Sequence, residues 1–279
     1  MGVLDGRVVL VTGGGNGIGR ECALRAARAG AAVLVNDLGG SVTGGDAGDA
    51  GPAEQVAAEI RAEGGRAISN SDSVTDLGAV RAMVEQAKAE LGGLHDVHLR
   101  GAFNVARATV ELFREQGDGS YVLFTSTSGI IGNIGQANYA AAKMGVAGLS
   151  RILAMEGALK NVRSNVIAPF AWTRMIATIP VKDEASAKRV ERIRTRMRAD
   201  QVADFAVALC APAAASVNGQ IFGVRGNEIV LFDQPRPVRS VSRIDGWTPE
   251  TILEHGIPAM AGAFHGLEAT AGVFTWEPV

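Results

Sequence analysis

Cysteine is scarce in this chain of 279 residues: there are two, Cys22 and Cys210, and neither has a neighbour at a metal-ligand spacing. That excludes a disulfide framework and a thiolate zinc site, no other metal site is expected, and a reducing setting fits. Tyrosine is as rare, with only Tyr121 and Tyr139. Positive charge is not in excess, the formal net charge being -2, so no basic field exists to attract nucleic acid. No apolar run approaches the roughly 18 residues that a membrane span needs. The stretch from Met1 to Arg7 also lacks a charged segment followed by an apolar one. The expectation is a cytoplasmic protein without nucleic-acid or membrane partners.

What is present is the composition of a globular domain, 47% hydrophobic and 20% charged, long enough for one large core. Residues 7–12 (RVVLVT) and 31–37 (AAVLVND) are short apolar runs that read as buried parallel strands. Between them Ile18, Cys22, Ala26 and Ala29 share a helical face, with Gly30 where the helix should end. The alternation continues with helices over 52–63 and 77–91 and a strand over 66–71. Later come strands at 121–126, 162–168 and 220–225, and helices from Asn138 and over 201–211. This rhythm predicts an α/β fold, a doubly wound Rossmann-type, mainly parallel sheet in a single domain. The Gly- and Asp-rich stretch 39–51 reads as a surface loop, and residues 227–279 as a C-terminal extension packed on the domain of residues 1–226.

Thr12-Gly13-Gly14-Gly15-Asn16-Gly17-Ile18-Gly19 falls between a strand and a helix. In that setting glycines let the backbone approach a pyrophosphate, whose charge meets the N–H groups at the helix start; a ligand-free flexible turn is the alternative. Asp37 closes the second strand roughly 20 residues past the turn, where a carboxylate accepts the ribose hydroxyls. No Lys or Arg lies among residues 14–17 or just after Asp37, so NAD is favoured over NADP. Asp37 could otherwise serve as a turn residue.

Tyr139 and Lys143 stand four apart on a helix and share a face. A free tyrosine titrates near ~10 and is a poor base at neutral pH, but a neighbouring cation stabilises phenolate. Such a pair on a helix surface is often mere solvated decoration; here it follows a dinucleotide turn and a Ser/Thr-rich strand end, residues 124–128 (FTSTS).

The Thr-Gly-x-x-x-Gly-x-Gly turn and the Tyr-x-x-x-Lys pair resemble those of the short-chain dehydrogenase/reductase family, over residues 1 to about 226. The family's serine lies thirteen residues before the tyrosine, which is Ser126 here; Ser128 is a rival at the wrong spacing. The resemblance implies that an alcohol and a ketone are interconverted. Ser126 would hydrogen-bond the substrate oxygen, Tyr139 would take the hydroxyl proton, and Lys143 would steady the phenolate and hold the nicotinamide ribose. Cofactor-binding candidates are Gly13, Gly15, Asn16, Gly17, Ile18, Asp37, Leu38, Asp72, Ser73, Tyr139, Lys143, Pro169 and Thr173. Phe170 stands where the family usually has glycine after that proline. His98 takes the place of a family asparagine that begins the next helix; it would relay protons or be a buried, satisfied histidine.

The stretches 36–40 and 132–139, with His98, resemble the dehydrogenase part of multifunctional β-oxidation enzymes. This implies a small-molecule 3-hydroxyacyl-CoA or hydroxysteroid substrate and a homodimer or homotetramer formed through helices starting near Asp96 and Asn138. Lys182, Lys188, Arg189, Arg192, Arg194, Arg196 and Arg198 crowd together and would either meet CoA phosphates or form a solvated helix face balanced by Asp183, Glu184 and Glu191. The alternatives are a dehydrogenase of a bulky apolar alcohol without CoA, and a non-catalytic NAD-binding protein.

One family element is missing. Residues 95–98 (HDVH) read as the start of a helix, so the fourth strand, with its Asn-Asn-Ala-Gly ending, has no counterpart. About 25 residues are absent, judged by what a βαβ unit requires. The first and fifth strands would then face an unpaired gap. The expectation is a natural chain with further residues between Leu94 and His95.

Overall fold

The computed structural model describes residues 2–40, 51–99, 101–172 and 183–279. The strands are β1 (Val8–Thr12), β2 (Ala32–Asn36), β3 (Arg66–Asn70), β4 (Asp96–Leu99), β5 (Gly119–Phe124), β6 (Val162–Phe170), β7 (Ile221–Arg225) and β8 (Glu228–Phe232). They form one sheet in the order β3-β2-β1-β4-β5-β6-β7-β8, parallel except for the β7–β8 hairpin. The principal helices are α1 (Gly17–Arg28), α2 (Gly51–Ala62), α3 (Leu77–Leu91), α4 (Ala102–Gln116), α5 (Thr127–Ile130), α6 (Ala137–Gly157), α7 (Glu184–Arg196) and α8 (Ala199–Cys210). The short α9 (Pro249–Thr251), α10 (Ile257–Met260) and α11 (Thr270–Val273) follow. This is the mainly parallel Rossmann-type α/β sheet that the strand and helix rhythm predicts.

Alternation along each strand divides the core between the two faces of the sheet. Val9, Val11, Val33 and Val35 pack with Leu24, Ile60, Val202 and Leu209 of α1, α2 and α8. Val8, Leu10 and Leu34 pack on the other side with Met83, Val105, Phe113 and Leu153 of α3, α4 and α6. Helix ends follow local chemistry: Gly30 (φ +102°) turns the chain out of α1, and Asp76 caps α3 by accepting from the Gly78 and Ala79 amides at 2.7 and 3.3 Å.

The expectation that residues 95–98 begin a helix, with no strand after α3, is corrected. The full sequence runs directly from Leu94 into His95. Residues 96–99 are not helical; they form β4 and fill the centre of the sheet, Val97 pairing with Leu10 on one side and Tyr121 on the other. The His95 amide donates to the Val8 carbonyl at 2.8 Å, and the His95 carbonyl accepts from the Ser120 amide at 3.0 Å. The orphaned backbone groups that argued for extra residues therefore have partners. The following helix starts at Ala102, not near Asp96, with a Gly101 whose added Cβ would lie 2.4 Å from Val74.

Residues 227–279 also hold a strand the periodicity does not predict. Gly226 (φ +64°) turns the chain into β8, on which Ile229 and Leu231 point outward and are 58% and 62% exposed. The last residues return to this hairpin: the Trp276 indole N–H donates to Glu228 at 2.6 Å, and the Asn227 amide donates to the Val279 carbonyl at 2.8 Å. Most of the Gly- and Asp-rich insertion, residues 41–50, lies outside the described residues, while its Gly51 opens α2.

Candidate active site

The sheet order reverses between β1 and β4, and in open α/β sheets ligands bind at the carboxyl ends of the strands on either side of such a switch. At the end of β1 the chain enters the glycine turn, with Gly13 and Gly17 at φ +65° and +55°. The Gly14 amide donates to the Asn36 carbonyl at 2.9 Å, tying the turn to the end of β2. A Cβ on Gly19 would sit 2.1 Å from the Gly13 carbonyl oxygen, and one on Gly14 2.8 Å from a Val35 methyl. The Asn16 side chain makes no capping bond, so the first N–H groups of α1 lack the partner that a capping side chain supplies.

Asp37 stands beside this turn, accepting from the Gly15 amide at Oδ2 and the Gly39 amide at Oδ1, both at 2.8 Å. Each carboxylate oxygen keeps lone-pair capacity for a hydroxyl donor. Buried Asn36 donates to Asn70 Oδ1 and to the Asp72 carbonyl, both at 2.9 Å, which draws the Asp72–Ser73 loop towards β2. Ile18 is half-buried and Leu38 exposed. This cradle of close-packed glycines, open helix start and carboxylate fits an adenine dinucleotide.

Across the switch point, Lys143 Nζ donates to the Phe124 carbonyl at 2.9 Å and lies 5.8 Å from the centre of the Tyr139 ring. Thr125 Oγ1 donates to the Lys143 carbonyl at 2.6 Å, fixing α6 against the end of β5. Gly129 permits close packing of α5 on α6, since a Cβ there would lie 2.8 Å from the Met144 amide. Tyr139 is 38% exposed. Tyr121 is fully buried, its hydroxyl 2.9 Å from Thr109 Oγ1 and its phenol pushed up by burial, which leaves Tyr139 as the accessible phenol.

Ser126 caps α5, its Oγ accepting from the Ser128 amide at 3.2 Å, and is partly exposed. Ser128 is buried: its hydroxyl donates to Gln136 Oε1 at 2.6 Å and accepts from Asn133 Nδ2 at 2.9 Å and from Ser126 Oγ at 3.2 Å. That uses its one proton and both lone pairs, so geometry separates the two serines. Sequence reasoning missed Asn133 and Gln136 as parts of this network; their polar side chains just before Tyr139 were the available signal.

The other candidates are more scattered. His98 lies on β4, in register with Val11 and Val122, and not on the helix where the family asparagine belongs. Pro169 is on β6 opposite Val224, and the Phe170 ring packs edge-on against Phe274 at 5.0 Å. Thr173 and Lys182 lie outside the described residues. Of the cations near α7, Lys188 pairs with Glu184 at 2.7 Å, Arg192 with Glu277 at 3.2 Å, Arg194 with Glu191 at 3.2 Å and Arg198 with Asp200 at 2.9 Å. Arg196 donates to the Pro278 carbonyl at 3.1 Å. These contacts match the solvated helix face better than a phosphate site. A cavity of about 250 Å³ between Arg7, Gly30, Gly65 and Arg66 lies at the amino ends of the strands, away from Ser126 and Tyr139. Among the described residues no helix is long and apolar enough to cross a membrane.

The sequence matches the short chain dehydrogenase family over residues 7–97 and the enoyl-(acyl carrier protein) reductase family over residues 94–226. It is 40% identical over 272 residues to a short-chain type dehydrogenase/reductase of Mycobacterium tuberculosis, covering 86% of this chain and 93% of that protein. A hydroxyacyl-CoA dehydrogenase of the same organism is 32% identical, covering 89% and 87%. Peroxisomal multifunctional enzyme type 2 of Mus musculus is 37% identical over 90% of this chain, which spans only 36% of that enzyme. A crystal structure of a short chain dehydrogenase from Mycobacterium avium superposes with a TM-score of 0.80 at 29% identity, covering 96% of this chain and 99% of that one. A 7α-hydroxysteroid dehydrogenase complexed with NADH and 7-oxo glycochenodeoxycholic acid gives 0.71 at 27% identity, covering 80% and 94%. Relatives of this identity and coverage, together with the glycine turn after β1 and the Tyr139–Lys143 pair on α6, show that the chain belongs to the short-chain dehydrogenase/reductase family.

Proposed function

We propose that this protein is an NAD-dependent dehydrogenase that interconverts a secondary alcohol and a ketone on a 3-hydroxyacyl-CoA or hydroxysteroid type of substrate. The observation that carries the reading is the bridge made by Lys143, whose ammonium joins the end of β5 to the face of Tyr139. Bound NAD supplies the two-electron acceptor that turns a carbinol into a ketone. Tyr139 takes the hydroxyl proton, and the Lys143 charge stabilises the phenolate from which it acts. Ser126 presents its hydroxyl to the substrate oxygen. Asp37 accepts from the ribose hydroxyls and would repel a 2′-phosphate at the same place. His98, on β4, is a further candidate for proton relay.

The substrate class rests on the relatives named for hydroxyacyl-CoA and hydroxysteroids. The ion pairing of Lys188, Arg192, Arg194 and Arg198 favours an alcohol without CoA as the second reading. The four-residue β4, lacking the family's Asn-Asn-Ala-Gly ending, favours a third, a non-catalytic NAD-binding protein. Assembly as a homodimer or homotetramer would cover the outer faces of α4 and α6, where Phe103, Met144 and Met155 are exposed. The cytoplasm is the proposed compartment, with the peroxisome, named in several relatives, as its rival.

The test is NADH formation, followed by absorbance, on a panel of 3-hydroxyacyl-CoA esters, hydroxysteroids and CoA-free alkanols, each with NAD and with NADP. Turnover of the first two classes with NAD is expected. Turnover of none of them with either coenzyme contradicts the reading.

A further inference from the structure

We propose that Asn133 and Thr270 are positioning residues for the Ser126 hydroxyl, with Thr270 acting from the C-terminal segment through the side chains of Asn133 and Ser128. The inference rests on the reading of Ser126 as the group that meets the substrate oxygen. Among the described residues Ser126 Oγ is placed by two contacts, both from Ser128: it accepts the Ser128 amide and reaches the Ser128 hydroxyl, each at 3.2 Å. Ser128 can hold that place only if its own hydroxyl cannot turn, and Gln136 and Asn133 occupy its remaining proton and lone pair.

Asn133 is therefore the outer anchor, and its amide is shared. One Nδ2 proton goes to Ser128 Oγ at 2.9 Å and the other to Thr270 Oγ1 at 3.1 Å, across 137 positions of sequence. Thr270 is held in turn, its amide and hydroxyl donating to the Gly132 carbonyl at 3.0 and 3.3 Å. Gly132 adopts φ +130°, a conformation open to glycine alone without strain, so the turn is built to present that carbonyl. The same turn is exposed beyond this point, Ile134 being 99% accessible, and Gln136 and Tyr139 follow directly on it. The C-terminal segment thus ties down the stretch of chain between the two groups that meet the substrate.

A valine at 270 keeps the shape of threonine and removes the oxygen. Thr270→Val is expected to lower kcat by about three- to tenfold, the size of one net hydrogen bond, on whichever alcohol the wild type oxidises. The Kd for NAD should not change, and Thr270→Ser should restore kcat. In a Ser128→Ala background Thr270→Val should add nothing further. Independently of turnover, hydrogen exchange of the amides in residues 127–133 should quicken in Thr270→Val and return in Thr270→Ser. Unchanged exchange in Thr270→Val overturns the inference, as does a loss of kcat that serine does not rescue. A wild type inactive on every alcohol overturns the proposed function instead, and the exchange measurement then decides the link between Thr270 and the serine turn by itself.

Discussion

Arg7 grips Asp96 with two hydrogen bonds, Nε to Oδ2 at 2.7 Å and Nη2 to Oδ1 at 3.1 Å, and so closes the short central strand onto β1. The Asp96 side chain is fully buried, and burial pushes its carboxyl up to about 6 in spite of the arginine. Arg7 Nη1 also reaches Asp118 at 2.8 Å, which joins the start of β5 to the same clamp.

Removing one partner of a buried pair strands the other charge, which costs about 3–5 kcal/mol. Asp96→Leu is expected at the lower end of that range because Asp118 remains beside Arg7. The double change Arg7→Met with Asp96→Leu should recover most of the loss. Urea unfolding of Asp96→Leu, Arg7→Met and the double variant checks this, and equal losses for single and double variants would remove the clamp from the account.

The neighbouring His95 predicts an acid-labile contribution. Its Nδ1 accepts from the Val8 amide at 3.0 Å, which requires a neutral ring, and burial followed by the Arg7 charge holds its pKa below the ordinary 6.5. The unfolded chain thus binds the proton more readily than the folded one. The contribution is complete above pH 6.5 and is lost as pH falls through the folded value. His95→Asn keeps an acceptor and cannot titrate. Its Tm should fall less steeply than that of the wild type between pH 6.5 and 5, and parallel curves would contradict the assignment.

These two residues also explain what could not be read from the sequence. A central strand is ordinarily apolar on both faces, and residues 95–99 carry two histidines and an aspartate in five positions, so the segment reads as something else. The compensating arginine is 89 positions away and has no signature of its own. β8 escaped notice because residues 229–232 are apolar on both faces, Ile229 and Leu231 outward and Phe232 against the core, so no apolar–polar alternation marks it. By contrast, the glycine turn, Asp37, Tyr139 and Lys143 depend on local spacing, and the turns and helices that carry them form where spacing puts them. Ser126 was legible only by its distance from Tyr139. The Asn133–Thr270 contact that supports it spans most of the second half of the chain and left no trace in local pattern.

Gly19→Ala tests the cradle. Its Cβ would lie 2.1 Å from a backbone oxygen, so the turn must shift, and the Kd for NAD should rise by about tenfold or more, in line with overpacking costs of about 1–3 kcal/mol. Gly145→Ala on α6, where nothing lies within 4 Å of an added Cβ, is the control and should bind NAD as the wild type does. Calorimetric titration distinguishes them, and equal affinities would separate the turn from coenzyme binding.

Asp37→Ser removes the negative charge beside the proposed ribose site while keeping a hydrogen-bonding side chain. The ratio of NADP to NAD affinity should rise by about 10- to 100-fold, the scale of relieving one like-charge contact. An unchanged ratio in paired titrations would place coenzyme choice elsewhere.

The central claim is that Tyr139 moves the proton in an alcohol oxidation, and its most direct measurement is kcat of Tyr139→Phe beside the Kd for NAD of the same variant. Loss of the phenol oxygen should lower kcat by about 10²- to 10⁴-fold and leave the Kd for NAD within twofold of the wild type, since only the proton acceptor is gone. A phenylalanine variant that turns over within about threefold of the wild type, with coenzyme bound normally, would contradict the account and assign the proton transfer to another group.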